Sequence, residues 1–230
     1  DKLMKLKILK EIINKKENKS EFAIITNLET GNSEIFEPDI TISKDFEKYR
    51  DKINDFYKNK KNGVINDTNI FIETYLKPIQ VIIVGAVNIA QYLADYIKNL
   101  NFEIIIIDPR GYFTTKERFS GIEIINKWPN EAFKKITTDT DTALITLTHD
   151  PKIDDPALQY ALKRKFYYIG ALGSKKTHTN RCAKLKLAGF NENEINSIHG
   201  PVGIDLGGKS ASEIALSIAA QLVAETYKKW

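Results

Sequence analysis

The chain has 230 residues, of which 42% are hydrophobic and 28% are charged, and its formal net charge is +4. This length suits one large domain or a main domain with a small one, and the hydrophobic content excludes global disorder. Lysines are scattered between acidic residues, so the clustered basic stripe that would predict nucleic-acid binding is missing. No apolar run approaches membrane-spanning length. With Cys182 as the only cysteine, no disulfide framework or CxxC site can form within one chain, and we expect a cytoplasmic protein.

Residues 1–77 are predicted to form a small α+β module. Apolar residues recur at helical spacing near the start and predict an amphipathic helix, at Leu3, Leu6, Leu9, Ile12 and Ile13. A β-branched run over residues 21–28 and the turn residues Thr30-Gly31-Asn32 predict a hairpin. A second amphipathic helix is expected over residues 46–57 and a second hairpin over residues 63–76. No spacing in this module is typical of a catalytic motif.

Residues 78–230 are predicted to form a doubly wound, mostly parallel α/β sheet of the Rossmann type. The runs over residues 80–84 and 103–107 are short, unbroken and β-branched, as is typical of strands buried on both faces of a parallel sheet. Between them apolar residues line one face of a helix, at Ile89, Leu93, Tyr96, Ile97 and Leu100. These segments form a β-α-β unit of the usual length, roughly 30 residues.

Further strands are expected over residues 122–125, 143–148 and 166–169 and near 201–204, with helices between them. One helix is predicted to begin with Asp155 as its N-cap and Pro156 at its first position. The last helix is predicted from Ser210 and Glu213, which have the spacing of a capping box. Strands that alternate with helices in this way indicate a parallel, doubly wound sheet.

The turn after the first strand of this sheet is a modified phosphate loop. A dinucleotide fingerprint, G-x-G-x-x-G/A, lets backbone amides reach the pyrophosphate. Here the segment is Gly85-Ala86-Val87-Asn88-Ile89-Ala90, so its first and last positions fit and Val87 replaces the middle glycine. A β-branched side chain there stiffens the backbone and disfavours NAD(P). Asp108 ends the second strand, where an acid would hold a ribose hydroxyl. The alternative is a Rossmann scaffold that no longer binds a dinucleotide in the usual way.

Candidate ligand contacts also follow the fourth predicted strand. His149 and Asp150 come at the carboxyl edge, where open α/β sheets bind ligands, and they could contact phosphate or pterin. The alternative is a satisfied turn, because Asp150-Pro151 is also good turn chemistry.

The segment after the fifth strand, Gly170-Ala-Leu-Gly173-Ser174, opens a helix with Lys175 and Lys176 at its start. Ser174 is the predicted N-cap, and the first amides of such a helix attract anions. The alternative is an ordinary capped helix with a solvated lysine pair.

Three further residues of this helix have side chains that could act in a site. His178 and Arg181 lie one turn apart and could extend the anion site, but an exposed polar face is the favoured interpretation. Cys182 is expected in the core rather than in sulfur chemistry, since nothing nearby assures a lowered thiol pKa.

Several motifs occur in one order and register. They are Asp108-Pro109-Arg110 with Glu117-Arg118-Phe119; Leu147-Thr148-His149-Asp150 with Asp154; Tyr168-Ile169-Gly170-Ala171-Leu172-Gly173-Ser174; and His199-Gly200-Pro201-Val202-Gly203-Ile204-Asp205-Leu206-Gly207, leading to Glu213-Ile214-Ala215-Leu216-Ser217-Ile218. The string resembles the C-terminal Rossmann domain of the xanthine dehydrogenase accessory factor (XdhC/CoxI) family and covers about residues 72–226.

The resemblance implies a maturation factor rather than an enzyme. Family members are described as holding the molybdenum cofactor, a molybdopterin, while its terminal sulfur is installed, and as handing it to a molybdenum hydroxylase client. A cysteine desulfurase is the implied sulfur donor, and we expect a homodimer. The implied cofactor-binding residues, without a catalytic residue or metal ligand, are Gly85, Ala86, Val87, Asn88, Asp108, Arg110, His149, Asp150, Gly170, Gly173, Ser174, Lys175, Gly203 and Asp205. For Asp205, a role that only braces its loop is the alternative.

Two features depart from the family pattern. The family loop typically has the sequence Gly-Ala-Gly-His, and here Val87 and Asn88 replace its last two residues. The family's N-terminal domain carries a Gly-Gly-Cys segment, whereas residues 1–77 have no cysteine and only Gly31 and Gly63 as glycines. The leading hypothesis is a cofactor-handling protein. The alternatives are an NAD(P)-dependent oxidoreductase, which Val87 disfavours, and a degenerate partner-binding module.

Overall fold

The computed structural model describes residues 2–228, with side chains from residue 6 onward. The chain forms two compact units, the first ending at Pro78 and the second beginning at Ile79. Within the described residues, no helix has the length and apolar content needed to cross a bilayer.

The first unit is an antiparallel sheet with helices. Its elements are α1 (Lys2–Glu17), β1 (Phe22–Asn27), β2 (Ser33–Phe36), α2 (Lys44–Glu47), α3 (Arg50–Lys58), β3 (Gly63–Val64) and β4 (Ile70–Tyr75). The strand order is β2-β1-β4-β3, and each neighbouring pair is antiparallel. Phe36, Phe46, Ile53 and Ile72 contribute to its buried core. The small α+β module is therefore confirmed.

The predicted first helix forms, but a different face of it is covered. Leu6, Leu9 and Ile13 are exposed, whereas Ile8 and Ile12 are half-buried. The side chain of Leu3 lies outside the described residues. The second predicted helix is divided into α2 and α3.

The second unit is a parallel sheet with helices on both faces. Its elements are β5 (Ile79–Val84), α4 (Asn88–Ile97), β6 (Phe102–Ile107), a 3-10 turn (Gly111–Phe113), β7 (Glu123–Ile125), α5 (Pro129–Ala132), β8 (Ala143–Thr146), α6 (Pro151–Arg164), β9 (Tyr168–Ala171), α7 (Lys175–Leu187), α8 (Glu192–Asn196), β10 (Ile198–His199) and α9 (Ala211–Lys228). The order is β10-β9-β8-β5-β6-β7, and every pair is parallel. This is the strand order of the dinucleotide-binding Rossmann fold, so the fold prediction is confirmed.

Alternate side chains of the central strand enter two separate cores. Val81 and Ile83 pack in the cluster that also contains α4 and α9, which we call the α4–α9 layer. Ile82 and Val84 pack in the cluster that contains α5, α6, α7 and α8, the α5–α8 layer. A strand buried on both faces needs apolar residues at every position, which is why its sequence does not alternate. The reversal of strand order falls between β5 and β8, where such folds place their ligand cleft.

Two predicted boundaries in this unit are wrong. Helix α6 begins with Pro151 and is capped by Asp150, so Pro156 lies inside the helix rather than at its start. Both Asp-Pro pairs fit an N-terminus locally, and burial of Ile153 and Asp154 on the first turns favours the earlier one. The strand expected near residues 201–204 is instead β10 at Ile198–His199, which continues the sheet beside β9. The capping box of the last helix is confirmed, because Ser210 and Glu213 bond reciprocally.

Candidate functional site

The β5–α4 turn packs directly against the end of β8. Gly85 has a φ of +110°, and a Cβ added to it would lie 2.6 Å from Thr148 Cγ2. Its amide donates to the carbonyl of Ile107 at 2.8 Å, and Leu147 donates to the carbonyl of Val84 at 2.8 Å. Only glycine satisfies both the conformation and the close approach, so the first position of the fingerprint keeps its structural purpose.

Val87 is accommodated without strain at the position of the missing glycine. It is the N-cap residue of α4 in an extended conformation, with φ −79° and ψ 174°, which any L-residue adopts. Its half-buried side chain packs against the α4–α9 layer, and Asn88 is exposed. Among the residues that the structure describes, no side chain caps the first turn of α4. The first-turn amides therefore lack a capping side chain, the state in which a helix N-terminus can accept an anion.

The acid at the ribose position is occupied by protein groups. Asp108 is fully buried, and its Oδ2 accepts from the Ala86 amide at 2.8 Å. Arg110 donates from its amide and Nε to Oδ1, each at 2.9 Å, and from Nη2 to Oδ2 at 2.8 Å. Burial alone would raise the pKa of Asp108, but these hydrogen bonds outweigh it and hold the pKa below its usual range. Both oxygens are thus engaged, which leaves little capacity for a ribose hydroxyl.

Arg118 holds the phosphate-loop turn from the β6–β7 connection. Its Nη1 donates to the carbonyls of Ala86 at 2.9 Å and Phe113 at 2.7 Å, and its Nη2 donates to Asn88 Oδ1 at 3.3 Å. The guanidinium also lies over the Phe119 ring, 5.2 Å from its centre. Sequence reasoning placed Arg118 in a motif but not in the site, because its partners lie about 30 residues away in the chain.

His149 is presented at the end of β8 by a tight turn. It is exposed and has a φ of +60°, a left-handed conformation that costs a non-glycine residue energy. Thr148 Oγ1 accepts from the Asp150 amide at 3.0 Å and donates to Asp154 Oδ1 at 2.6 Å. Asp150 caps α6 by accepting from the Lys152 amide at 2.9 Å. Asp150 thus makes the hydrogen bond of a capped turn, and His149 is exposed.

The β9–α7 turn carries the predicted helix cap. Ser174 Oγ accepts from the Thr177 amide at 3.1 Å, which confirms the cap, and Lys175 and Lys176 are exposed. Gly173 has a φ of +148°, so its conformation favours glycine. Gly170 lies inside β9, where an added Cβ would come 2.5 Å from Val202 Cγ2, so it serves close packing.

Helix α7 turns two of its polar side chains inward, and the expectation of an exposed polar face is wrong. Arg181 is only 6% exposed, and its Nη2 donates to the Leu172 carbonyl at 2.9 Å. His178 Nδ1 is buried, and an added Cβ on Gly200 would lie 2.0 Å from it. Cys182 is half-buried against the α5–α8 layer, with Sγ 3.5 Å from His178 Nε2. Burial raises the pKa of the Cys182 thiol and lowers that of His178.

Gly203 and Asp205 lie in the loop between β10 and α9. An added Cβ on Gly203 would lie 2.2 Å from Ser217 Oγ, so this glycine lets the loop lie against α9. Asp205 is exposed and accepts from the Gly207 amide at 3.0 Å, which is the bracing role given as its alternative. The contacts described for both residues stay within this loop and α9.

The structure thus joins the predicted residues of three strand ends. The phosphate loop, Asp108 and Arg110 are linked by hydrogen bonds, and Thr148 packs on Gly85 beside His149. Asp150 raises the pKa of Arg110 electrostatically, after the larger effect of Asp108. Through the part of the chain that the structure describes, no three His, Cys, Asp or Glu side chains converge as metal ligands do. The arrangement is suited to binding an anionic ligand, and the residues that sequence reasoning missed are those that brace it.

Known proteins are similar to this chain in sequence. The chain is 42% identical to PaoD, a molybdenum cofactor insertion chaperone of Escherichia coli K12, over 99 residues. Those residues are 43% of this chain and 30% of that protein. It is 26% identical, over 157 residues, to a protein of Bacillus subtilis 168 named as a probable xanthine dehydrogenase subunit. That match covers 68% of this chain and 46% of the relative. The chain therefore spans less than half the length of these curated relatives.

A solved structure and a family description complete the comparison. A crystal structure described as a xanthine dehydrogenase from Bacillus halodurans has a TM-score of 0.72 and 22% identity, and covers 91% of this chain and 61% of that one. At that identity the likeness concerns the fold. The family description "XdhC Rossmann domain" matches residues 81–222, which is more than half of the chain. The chain accordingly belongs to the XdhC family and carries its Rossmann domain.

Proposed function

We propose that this chain binds the molybdenum cofactor and assists its sulfuration and its insertion into a xanthine dehydrogenase-type molybdenum hydroxylase. The names of the two curated relatives, a cofactor insertion chaperone and a xanthine dehydrogenase subunit, support this role. Within the proposal, the chain holds the cofactor and performs no redox step itself.

The observation that carries the proposal is the closed pair of Asp108 and Arg110 beneath an uncapped α4 N-terminus. The buried acid is neutralised by its own neighbour, which disfavours the ribose contact of a dinucleotide. The first-turn amides of α4 still favour a phosphate group. A phosphorylated pterin needs the phosphate site and not the ribose contact, so it fits this cleft better than NAD(P).

His149 is the side chain that we assign to the pterin part of the ligand. It is exposed at the carboxyl end of β8, next to the β5–α4 turn that would hold the phosphate. Lys175, at the start of α7, would supply further positive charge from the neighbouring strand end. The imidazole can donate or accept a hydrogen bond according to its tautomer, so it suits the polar edge of a heteroaromatic ring.

The sulfur is proposed to come from a partner. Residues 1–77 contain no cysteine, and the thiol of Cys182 is half-buried with a raised pKa. A thiol in that state is a poor sulfur acceptor. A cysteine desulfurase that delivers sulfur directly to the bound cofactor is consistent with these observations.

The test is cofactor retention during anaerobic purification from cells that make the cofactor. We expect molybdenum and acid-released pterin to co-purify with the protein in a constant ratio. The amount should correspond to about one cofactor per chain or per dimer, and light scattering gives the oligomeric state needed to tell these apart. The double variant Lys175→Ala/Lys176→Ala should retain less cofactor. Lys163→Ala should retain as much as wild type, because this exposed lysine lies near the C-terminal end of α6, away from the carboxyl edge of the sheet. If wild-type protein carries neither molybdenum nor pterin after purification, and binds no molybdenum cofactor in an anaerobic titration, the proposal is refuted.

A further inference from the structure

Among the residues that the structure describes, several buried polar atoms have no hydrogen-bond partner, and three of them bear on the turns that follow β8 and β9. They are Thr146 Oγ1 at the end of β8, Asp154 Oδ2 in α6 and Arg181 Nη1 in α7. Asp154 is 2% exposed and Arg181 is 6% exposed, so solvent does not satisfy them. Thr146 follows Leu144 by two residues on the same strand, and Leu144 packs in that layer, so all three side chains belong to one side of the sheet.

The backbone ties these residues together near the ligand edge. The Leu172 amide donates to the Thr146 carbonyl at 2.9 Å, and Arg181 Nη2 donates to the Leu172 carbonyl at 2.9 Å. Leu172 belongs to the β9–α7 turn that ends in the capping residue Ser174. Arg181 therefore holds this turn from beneath.

Asp154 holds the neighbouring turn in the same way. Its Oδ1 accepts from Thr148 Oγ1 at 2.6 Å and from the Thr148 amide at 3.4 Å, and Thr148 Oγ1 accepts from the Asp150 amide. Those bonds close the turn in which His149 keeps its left-handed conformation. Burial raises the pKa of Asp154, while Thr148, Arg181 and His149 act in the opposite direction.

We propose that Asp154 and Arg181 are a pair of positioning residues that set the β8–α6 turn with His149 and the β9–α7 turn with Ser174 in fixed relation. Each of the two side chains uses one polar atom to hold a turn, while a second atom, Asp154 Oδ2 or Arg181 Nη1, is buried without a partner among the described residues. A buried water that donates to Asp154 and accepts from Arg181 would satisfy both atoms. The consequence for cofactor affinity rests on the proposed function, whereas the geometry of the turns does not.

The first test measures the His149 ring in the protein without ligand. Its imidazole signals can be assigned with His149→Gln, because the chain has three histidines. Thr148→Val removes the hydroxyl and keeps the shape, so the His149 signals should move towards those of an unconstrained histidine. Thr148→Ser keeps the hydroxyl and should leave them close to wild type. Equal spectra for the two variants would overturn the positioning role of the Thr148–Asp154 bond.

The second test asks whether Asp154 and Arg181 act as a pair. Asp154→Asn and Arg181→Gln each leave one buried charge unpaired, so each should lower the thermal midpoint. The double variant should lose less than the sum of the two single losses, because no unpaired charge remains. Asp155→Asn, on the same helix but paired with Lys184 at the surface, is the matched control. Strictly additive losses would overturn the pairing.

The third test connects the pair to cofactor binding. Thr148→Val should reduce retention of the molybdenum cofactor about ten-fold, which corresponds to about 1.4 kcal/mol, and Thr148→Ser should restore it. Equal retention by the two variants would overturn this consequence. If wild type retains no cofactor, the proposed function fails, while the ring signals and the double variant still decide the positioning role.

Discussion

Asp108 and Arg110 lie two residues apart and form a closed pair, with Nε 2.9 Å from Oδ1 and Nη2 2.8 Å from Oδ2. The acid is fully buried, and the arginine side chain is 36% exposed. The pair sits at the carboxyl end of β6, where a Rossmann domain that binds NAD presents a carboxylate to the ribose. Its geometry yields the first two predictions.

Removing the loop substitution alone should not create a dinucleotide site. We expect neither wild type nor Val87→Gly to bind NAD(H) or NADP(H) measurably in calorimetry, because Asp108 remains engaged by Arg110 and by the Ala86 amide. Val87→Gly combined with Arg110→Ala frees part of the carboxylate and is the informative comparison. Tight NAD(P) binding by wild type would revive the oxidoreductase alternative.

Loss of the Asp108 charge should destabilise the second unit in a pH-dependent way. Asp108→Asn should lower the free energy of unfolding by about 2 kcal/mol at neutral pH, because several hydrogen bonds to a charged acceptor are weakened. The folded-state pKa of Asp108 is lowered from 3.8, so its contribution is fully present above that value. It is lost as the pH falls below 3.8 through the folded-state pKa.

Denaturant titrations over a range of pH measure this contribution. The difference in unfolding free energy between wild type and Asp108→Asn should stay constant from about pH 5 to 8 and shrink below about pH 4. Asp95→Asn is the control, since that carboxylate is exposed and pairs with Lys98, the residue that follows its own helix. A difference that grows on acidification would contradict the lowered pKa.

Gly85→Ala should be destabilising by about 2 to 4 kcal/mol, from backbone strain at φ +110° and from crowding by Thr148 Cγ2 at 2.6 Å. Adding Thr148→Ser removes that methyl group and should recover part of the loss but not the strain. Gly31→Ala is a useful comparison, because its φ of +72° is also positive while nothing lies within 4 Å. Thermal or denaturant unfolding gives the ranking, and a Gly85→Ala loss no larger than that of Gly31→Ala would refute the crowding.

Cys182 should react slowly with thiol reagents. Burial raises its pKa and limits access to Sγ, so little accessible thiolate is present near neutral pH. Alkylation followed by mass spectrometry should be at least about ten-fold slower than in denaturant. Cys182→Ala should retain the cofactor as wild type does. Rapid labelling of the folded protein, or loss of the cofactor in Cys182→Ala, would instead indicate a sulfur-handling role.

The parts of the fold that depend on residues close together in the sequence could be predicted from it. The unbroken run over residues 80–84 indicates a strand buried on both faces, and it forms the centre of the sheet. The capping pair of Ser210 and Glu213 needs only local spacing. The choice between two Asp-Pro pairs at the start of α6 depends on which side chains are buried, and local spacing does not decide that.

The braces of the site could not be predicted, because each depends on how the tertiary fold packs its segments. Arg118 meets the Ala86 carbonyl 32 residues away, and the buried Arg181 donates to the Leu172 carbonyl across the β9–α7 turn. An arginine on a polar helix is expected to be solvated until the packing of that helix is known. The exposed candidates, such as His149, were accessible to sequence reasoning because they follow strands at the ligand edge.

The distribution of charge around the proposed site should affect the association rate of an anion and its dissociation rate differently. Asp108 neutralises the charge of Arg110, and Arg181 is buried and interacts electrostatically with Asp154, so neither arginine projects much field into solvent. Lys175 and Lys176 are exposed at the rim. Charges of that kind accelerate encounter and are screened by salt, whereas hydrogen bonds from the α4 amides would govern dissociation from the proposed site. Added salt should therefore slow the capture of a phosphorylated ligand far more than it shortens the life of the complex.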